Sequence, residues 1–170
     1  MSVVIRETVS ADMKAFAALY QHIYDTTYRG FIDPRLIRSV LAEDSAARMK
    51  GCWLTPGAEA FTAEEEGTFL GFAMGQPSPD ILGAFWLEYL YLYEQARGKG
   101  VGRLLIEAMG RRAREQGYSG MVIDVFNGND NAEQLYRYLG AKLVREDHIQ
   151  DVNDMPVHSK LLYWEDLSIF

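Results

Sequence analysis

Residues 97–102 read Arg97-Gly-Lys-Gly-Val-Gly102 and separate an apolar segment from an amphipathic one. The preceding segment, 83–93, is aromatic and carries no charged residue except Glu88, which is typical of a central strand buried on both faces. After the glycines, apolar residues recur at helical spacing: Val101, Leu104, Leu105, Ala108, Met109 and Ala113. A glycine-rich turn between a strand and a helix exposes the unpaired amides of the first helical turn. Together with the positive end of the helix dipole, these amides predict a phosphate-binding loop.

Three kinds of phosphate-binding loop compete for this stretch. The P-loop requires Lys followed by Ser or Thr after its second glycine, whereas Gly102 is followed by Arg103 and Leu104. The dinucleotide loop G-x-G-x-x-G, if it began at Gly98, would require glycine at position 103. Both patterns therefore fail. The remaining pattern, Q/R-x-x-G-x-G/A, is met residue by residue at 97–102 and resembles the signature of the GNAT acyltransferase superfamily.

A second motif follows in the correct order. The stretch Asn129-Asp-Asn-Ala-Glu-Gln-Leu-Tyr-Arg-Tyr-Leu-Gly140 resembles the family pattern N-x-x-A-x-x-L-Y-x-x-x-G. The stretch Tyr28-Arg-Gly-Phe-Ile-Asp-Pro34 resembles the loop between the first two helices of many small-molecule GNAT enzymes. Two correctly separated motifs are hard to obtain by chance, and the order of strands and helices is similar to that of the family over nearly the whole chain.

Periodicity and turn residues predict the other elements. Strands are expected over 3–7, 58–63, 68–75, 121–126, 141–148 and 157–164, and helices over 12–28, 33–49 and 129–139. The second of these helices starts at Asp33-Pro34, with Asp as the N-cap and Pro at the first helical position. This order is similar to that of the GNAT fold, which implies an α/β (α+β) architecture with a mixed, mostly antiparallel sheet of about seven strands flanked by helices. We expect one N-acetyltransferase domain over 1–170.

The resemblance implies acetyl-CoA as the co-substrate. In the family the two central parallel strands splay apart, and the pantetheine arm between them bonds to backbone groups that Leu90, Tyr91 and Leu92 would supply here. Asn129 would meet the same arm, with Asn127 and Asn131 as alternatives, and Tyr136 would lie near the sulfur. The pyrophosphate would be held by the glycine-rich loop and the start of the helix: Arg97, Gly98, Lys99, Gly100, Val101, Gly102 and Arg103.

Two residues carry the predicted chemistry. The family counterpart of Tyr136 can protonate the departing thiolate, and a phenol with a pKa near ~10 suits a thiol with a pKa near ~8.5. The alternative interpretation of Tyr136 is core packing beside Leu135. Glu88 is the candidate general base, because burial raises the pKa of a carboxyl group toward the working range. Asp124 is the rival base, and a base acting through water would leave neither residue essential.

The acceptor pocket is expected at Tyr28, Phe31, Trp86 and Glu88, close to the last two strands. Aromatic residues suit a small amphipathic acceptor, and the acidic composition suits a cationic one. The resemblance therefore predicts direct acetyl transfer to a primary amine of a small molecule or peptide, without a covalent enzyme intermediate. The alternative from another class is a non-catalytic acyl-CoA sensor or interaction module on the same fold.

Composition argues against several other classes. The net charge of -7 gives little attraction for nucleic acid or anionic lipid, so neither partner is expected. Cys52 is the sole cysteine, which agrees with a reducing compartment and a cytoplasmic location. His22, His148 and His158 lack the mutual spacing of a metal site, so no metal is expected. The aromatic stretch 161–164 either seals a homodimer or completes the core.

Overall fold

The computed structural model describes residues 2–170. Its centre is a seven-stranded sheet in the order β1-β2-β3-β4-β5-β7-β6. The strands are β1 Val3–Glu7, β2 Glu59–Glu65, β3 Thr68–Pro77, β4 Ala84–Leu92, β5 Gly120–Phe126, β6 Lys142–Val152 and β7 Met155–Trp164. The central pair, β4 and β5, is parallel, and the other neighbours are antiparallel. The mixed, mostly antiparallel sheet predicted from the sequence is therefore confirmed.

Helices cover both faces of the sheet: α1 Met13–Asp25, α2 Pro34–Ala42, α3 Ser45–Trp53, α4 Val101–Glu115 and α5 Asp130–Tyr138. The apolar stripe of α4 packs with Phe85 and Leu87 of β4 in one core cluster. On the opposite face, Phe16 of α1 stacks on Phe72 of β3 with 3.9 Å between ring centroids. Because side chains alternate along a strand, β4 is covered on both faces, as the almost uncharged segment 83–93 predicts.

The central parallel pair is short. Its last paired residues are Leu87 of β4 and Ile123 of β5, although both strands continue farther. Beyond this level the strands diverge, and a gap opens between their carboxyl ends. This divergence is the splay that the family resemblance implied. The strand edges that face the gap are left free to bond to another partner.

A β-bulge in β4 lies at the level where the strands diverge. Met74 of β3 pairs with Tyr89, whereas the following residue, Gly75, pairs with Leu87. Glu88 is therefore the extra residue of β4. A bulge bends its strand and increases the local twist, so it turns β4 away from β5 at this point.

The prediction of one continuous helix over 33–49 is wrong. The chain forms two helices there, α2 and α3, which are separated at Glu43 and Asp44. Glu43 has an extended backbone, and the Asp44 carboxylate accepts a hydrogen bond from the amide of Ala47 at 3.1 Å. The capping preference of Asp44 thus interrupts a helical pattern that hydrophobic spacing alone would continue.

The last two strands reach beyond the predicted ranges 141–148 and 157–164. They form one hairpin, closed by Asn153 and Asp154, which both have positive φ (50° and 62°). A two-residue turn with positive φ at both positions matches the twist of an antiparallel pair, and its usual sequence signal is Asn-Gly. The extension brings residues 150–152 to the gap between β4 and β5.

The aromatic stretch near the carboxyl end lies inside the molecule. Leu161, Leu162 and Trp164 are buried in the core of the same chain. The indole N–H of Trp164 donates to the carbonyl of Leu139 at 3.0 Å. This stretch therefore completes the core, and the homodimer stays a prediction. Among the helices of residues 2–170, none combines the length and the apolar character that crossing a membrane requires.

Candidate active site

A cavity of about 560 Å³ occupies the gap between β4 and β5. It runs from the glycine-rich loop to the side chains of Trp86 and Asp124. Most of the predicted site residues line it: Tyr28, Trp86, Glu88, Leu90, Tyr91, Leu92, Arg97, Gly98, Gly100, Val101, Gly102, Arg103, Asn129 and Tyr136. Phe31 and Lys99 are the predicted residues that lie outside this lining. The structure therefore brings two distant motifs and the central strand to one cavity.

The glycine-rich loop has the backbone of an anion site. Gly98 and Gly100 have φ of 72° and 79°, a conformation that favours glycine. The first bond of α4 joins the amide of Leu104 to the carbonyl of Gly100 at 3.0 Å. Residues 101–103 therefore present their amides at the helix N-terminus, where the helix dipole favours negative charge.

Arg97 of the motif and Arg103, which directly follows it, make different contacts. Arg97 donates to the hydroxyl of Thr27 at 3.1 Å and to the carbonyl of Leu92 at 3.4 Å. Arg103 pairs with Glu107 at 2.8 Å on the exposed side of α4. Both side chains border the cavity at the loop end. This end of the cavity is accordingly positive, as a pyrophosphate requires.

The edge of β4 that faces the gap has no strand beside it beyond Leu87. On the other edge, Leu90, Tyr91 and Leu92 pair with residues 71–73 of β3. Backbone groups of a strand point alternately to its two edges, so part of this segment is directed into the gap. An extended amide-containing chain can bond to those groups as a further strand would.

Tyr136 lies on α5 with 6 % of its surface exposed. Its ring packs edge-on against Trp164 with 6.1 Å between centroids, and its role as a proton donor stays a prediction. It packs in the core and also lines the cavity. Burial raises the pKa of Tyr136 well above its ordinary value, which keeps the phenol protonated and able to donate.

Asn129 is the N-cap residue of α5, yet its side chain makes no capping hydrogen bond. An N-cap asparagine ordinarily accepts a bond from an amide of the first helical turn. Here the side chain lines the cavity instead. Asn131, one of the two alternatives from the sequence, lines the same cavity, whereas Asn127 lies outside its lining.

Glu88 projects from the bulge of β4 and lines the cavity. The side-chain amide of Gln76 donates to its carboxylate at 2.9 Å. Burial raises the pKa of Glu88, and the bond from Gln76 opposes part of this shift. The direction of the shift is the one predicted for a general base.

The aromatic wall of the cavity begins at Tyr28, whose hydroxyl donates to that of Tyr91 at 3.3 Å. Phe31 packs behind it, with 5.6 Å between the two ring centroids. Gly128 leaves room for this ring, because a Cβ atom there would lie 2.6 Å from that of Phe31. Phe31 thus supports the wall rather than facing the cavity.

Several lining residues were not predicted from the sequence. Tyr20 and Tyr24 of α1 have helical spacing, which indicated only core packing. Arg48 of α3 pairs with Glu43 at 2.6 Å and bonds to Asn153 in the β6–β7 turn. Residues 150–152 fell beyond the predicted end of their strand. The Asn-Asp pair at the turn was the available signal for that longer hairpin.

A buried polar cluster adjoins the cavity wall at Asp124, the rival base. His148, interpreted from the sequence as an ordinary structural residue, lies with its Nε2 3.2 Å from an oxygen of Asp124. The same nitrogen lies 3.6 Å from Asp80 of the loop before β4. These three side chains are close enough to hold a metal ion, so the expected absence of a metal stays a prediction.

Comparison with known proteins agrees with this geometry. The model of the acetyltransferase (GNAT) family matches residues 16–141. The mycothiol acetyltransferase of Thermomonospora curvata is 32 % identical over 98 residues, which cover 58 % of this chain and 32 % of that protein. The chain spans about a third of the length of the curated relatives it matches.

Two solved structures share the fold. The PaiA N-acetyltransferase of Thermoplasma acidophilum, in complex with coenzyme A, superposes with a TM-score of 0.76 at 18 % identity, covering 97 % of this chain and 99 % of that one. The YncA protein of Salmonella typhimurium, with its cofactor acetyl-CoA, gives 0.73 at 21 % identity, covering 97 % and 94 %. The arrangement of strands and helices is therefore common to all three.

Proposed function

Because the chain belongs to the acetyltransferase (GNAT) family, we propose that it transfers an acetyl group from acetyl-CoA directly to a primary amine. The observation that carries this proposal is the single cavity between β4 and β5. It is bordered by the amides of the glycine-rich loop at one end and by Glu88 and Tyr136 farther in. The acceptor is a small molecule or a peptide.

Acetyl-CoA supplies an activated thioester to this site. The amides of residues 101–103 and the nearby Arg97 hold the pyrophosphate, since they offer hydrogen-bond donors and positive charge. The free edge of residues 90–92 bonds to the amides of the pantetheine arm. Asn129 offers a side-chain amide to the same arm. These contacts place the thioester carbonyl in the gap, near the bulge of β4.

Glu88 acts as the general base. An alkylamine with a pKa of about 10.4 is almost fully protonated at pH 7, so one proton must leave before its nitrogen attacks the carbonyl carbon. A buried carboxylate with a raised pKa accepts that proton more readily than an exposed one. Gln76 keeps the carboxylate directed at the gap through its 2.9 Å hydrogen bond.

Tyr136 acts on the leaving group. As the new C–N bond forms and the C–S bond breaks, the sulfur gains negative charge. The phenol of Tyr136 is kept protonated by burial and donates its proton to that sulfur, and the second proton released by the acetylated nitrogen restores the phenol. No residue of the protein is acylated in this scheme. The net charge of -7 and the single cysteine support a cytoplasmic enzyme without nucleic-acid or membrane partners.

Calorimetric titration with acetyl-CoA and desulfo-CoA tests the proposal. The native protein is expected to bind both on the order of micromolar, and Gly100→Glu is expected to weaken binding at least about 100-fold, because it adds strain and a negative charge at the loop. Gly67→Glu is the matched control: it adds the same charge at a glycine with φ of 77° in the β2–β3 turn.

Release of free thiol in the presence of an amine panel then separates an enzyme from a sensor. Amine-dependent release supports transfer. Binding of acetyl-CoA without thiol release for any amine would favour the sensor or interaction module. A folded native protein that binds neither coenzyme would overturn both interpretations.

A further inference from the structure

Glu88 and Asp124 occupy equivalent positions on the two diverging strands. Each directly follows the last paired residue of its strand, Leu87 on β4 and Ile123 on β5. Both side chains line the cavity, and the charge of Asp124 contributes to the raised pKa of Glu88. The cavity therefore has two carboxylates at one level, of which the proposed reaction uses one.

Asp124 is held by one of its two oxygens. Its Oδ1 atom lies 3.2 Å from Nε2 of His148 and 3.4 Å from the hydroxyl of Ser159. Its Oδ2 atom is shielded from solvent and makes no well-aligned hydrogen bond within residues 2–170, although the indole N–H of Trp86, which is also unpaired, lies near enough to the carboxylate to lower its pKa. The side chain is 6 % exposed. A buried carboxylate oxygen without a donor is costly, so this atom is suited to a ligand that brings one.

The hydrogen-bond network assigns the proton of His148. An arginine can only donate, and Nη1 of Arg145 lies 3.1 Å from Nδ1 of His148. Nδ1 is therefore the acceptor, and Nε2 carries the proton that points to Asp124. Arg145 also lies 3.6 Å from Asp80 and compensates that carboxylate. His148 is thus a neutral donor that orients Asp124 and leaves its negative charge in place.

This arrangement disfavours a metal ion in the same cluster. A metal bound at Nε2 of His148 would require the proton on Nδ1, where it would face the guanidinium of Arg145. An ammonium group needs no free nitrogen and can donate from the cavity to the carboxylate of Asp124. Burial raises the pKa of Asp124, the hydrogen bond from Ser159 opposes part of this shift, and a neighbouring ammonium group favours the ionised carboxylate.

The rest of the acceptor end is also suited to cations. Asp151 lines the acceptor end near the β6–β7 turn. Arg48 also lines this end, but its charge is neutralised by Glu43. The lining includes Tyr20, Tyr24, Tyr28, Tyr89, Tyr91 and Trp86. Aromatic faces attract ammonium groups, most strongly when both are removed from water.

We propose that Asp124, positioned by His148, binds a second cationic group of the acceptor, so that the preferred substrates are diamines or other amines that carry a further ammonium. This inference rests on the proposed function, because it assigns the reacting nitrogen to Glu88 and the second nitrogen to Asp124. Asp124 is thereby a specificity-determining residue rather than the base. His148 acts through Asp124 and is a positioning residue.

The test measures binding, so that it does not depend on turnover. Diamines of three to five carbons and the n-alkylamines of equal chain length are titrated calorimetrically into the protein, with and without saturating desulfo-CoA. The native protein is expected to bind a diamine at least about tenfold more tightly than the matched monoamine. Asp124→Asn is expected to remove this preference while leaving monoamine affinity within about threefold.

Variants of His148 distinguish a residue that positions Asp124 from one that only supports the fold. His148→Gln can still donate an N–H to Asp124 and is expected to keep most of the preference. His148→Leu has no donor and is expected to lose it, with unchanged desulfo-CoA affinity. Where amines are acetylated, the loss is expected in KM for diamines and not in kcat.

Equal binding of the diamine and monoamine by the native protein would overturn the inference. A preference that survives in folded Asp124→Asn would overturn it as well. Failure of the proposed function is a different result, because it appears as loss of coenzyme binding in the native protein. Diamine preference in the absence of desulfo-CoA would still support the role of Asp124.

Discussion

Replacement of Glu88 by Gln gives a rate loss whose size depends on pH. The amide side chain keeps an oxygen that can accept from Gln76, so the 2.9 Å contact and the bulge are preserved while the base is lost. The variant then uses only amine that is already deprotonated. For a pKa of about 10.4 this is about one molecule in 2,500 at pH 7 and one in 25 at pH 9.

The ratio of native to variant kcat/KM is therefore expected near 10³ at pH 7, in order of magnitude, and should fall about tenfold per pH unit. Native activity is expected to fall as the pH drops through the raised pKa of Glu88, because only the ionised carboxylate accepts a proton. Steady-state kinetics between about pH 6 and 9 measure both trends. Glu146→Gln, on the exposed side of β6, is the control. A ratio that stays constant with pH would refute the assignment of Glu88 as the base.

Two further changes test the leaving-group step and the sheet. Tyr136→Phe is expected to lower kcat by about 100-fold with coenzyme affinity unchanged, because only the proton donor is removed. Steady-state assays compare it with Tyr138→Phe, a change at a tyrosine that is 80 % exposed on the same helix. Equal kcat values in the two variants would exclude Tyr136 as the acid. Gly75→Ala is expected to destabilise the protein by about 2 kcal/mol or more, because its Cβ would lie 2.3 Å from the carbonyl oxygen of Trp86. Urea unfolding compares it with Gly51→Ala in α3, where no atom lies within 4 Å and stability should hold or rise.

The sequence was sufficient to predict an element wherever its local pattern agrees with its place in the tertiary structure. The glycine loop before α4 needs positive φ at Gly98 and Gly100, and glycine at those positions is visible in the sequence. The segment 83–93, whose only charged residue is Glu88, predicted a strand covered on both faces, because its apolar composition is also visible in the sequence. The family resemblance then placed these elements in one sheet, and with them the residues around the gap.

Other features depend on contacts that no local pattern contains. Asp44 caps a helix in the middle of a continuous helical spacing, so the break in 33–49 was not predicted. Tyr20 and Tyr24 line the cavity because α1 packs against β3 and β4 on that face of the sheet. His148 on β6 meets Asp124 on β5 across the intervening strand β7, and its role depends on which nitrogen carries the proton. Spacing between histidines cannot report such a partner.

The bulge of β4 also fixes the phase of the strand. Before Glu88, odd-numbered side chains such as Leu87 face α4; after it, even-numbered ones such as Leu90 do. If β4 instead alternated regularly through Glu88, without the bulge, Tyr89 and Tyr91 would turn from the aromatic wall toward α4. The extra residue therefore shifts the phase of the strand by one position, so that its leucines stay on the side of the apolar core and its tyrosines on the side of the cavity.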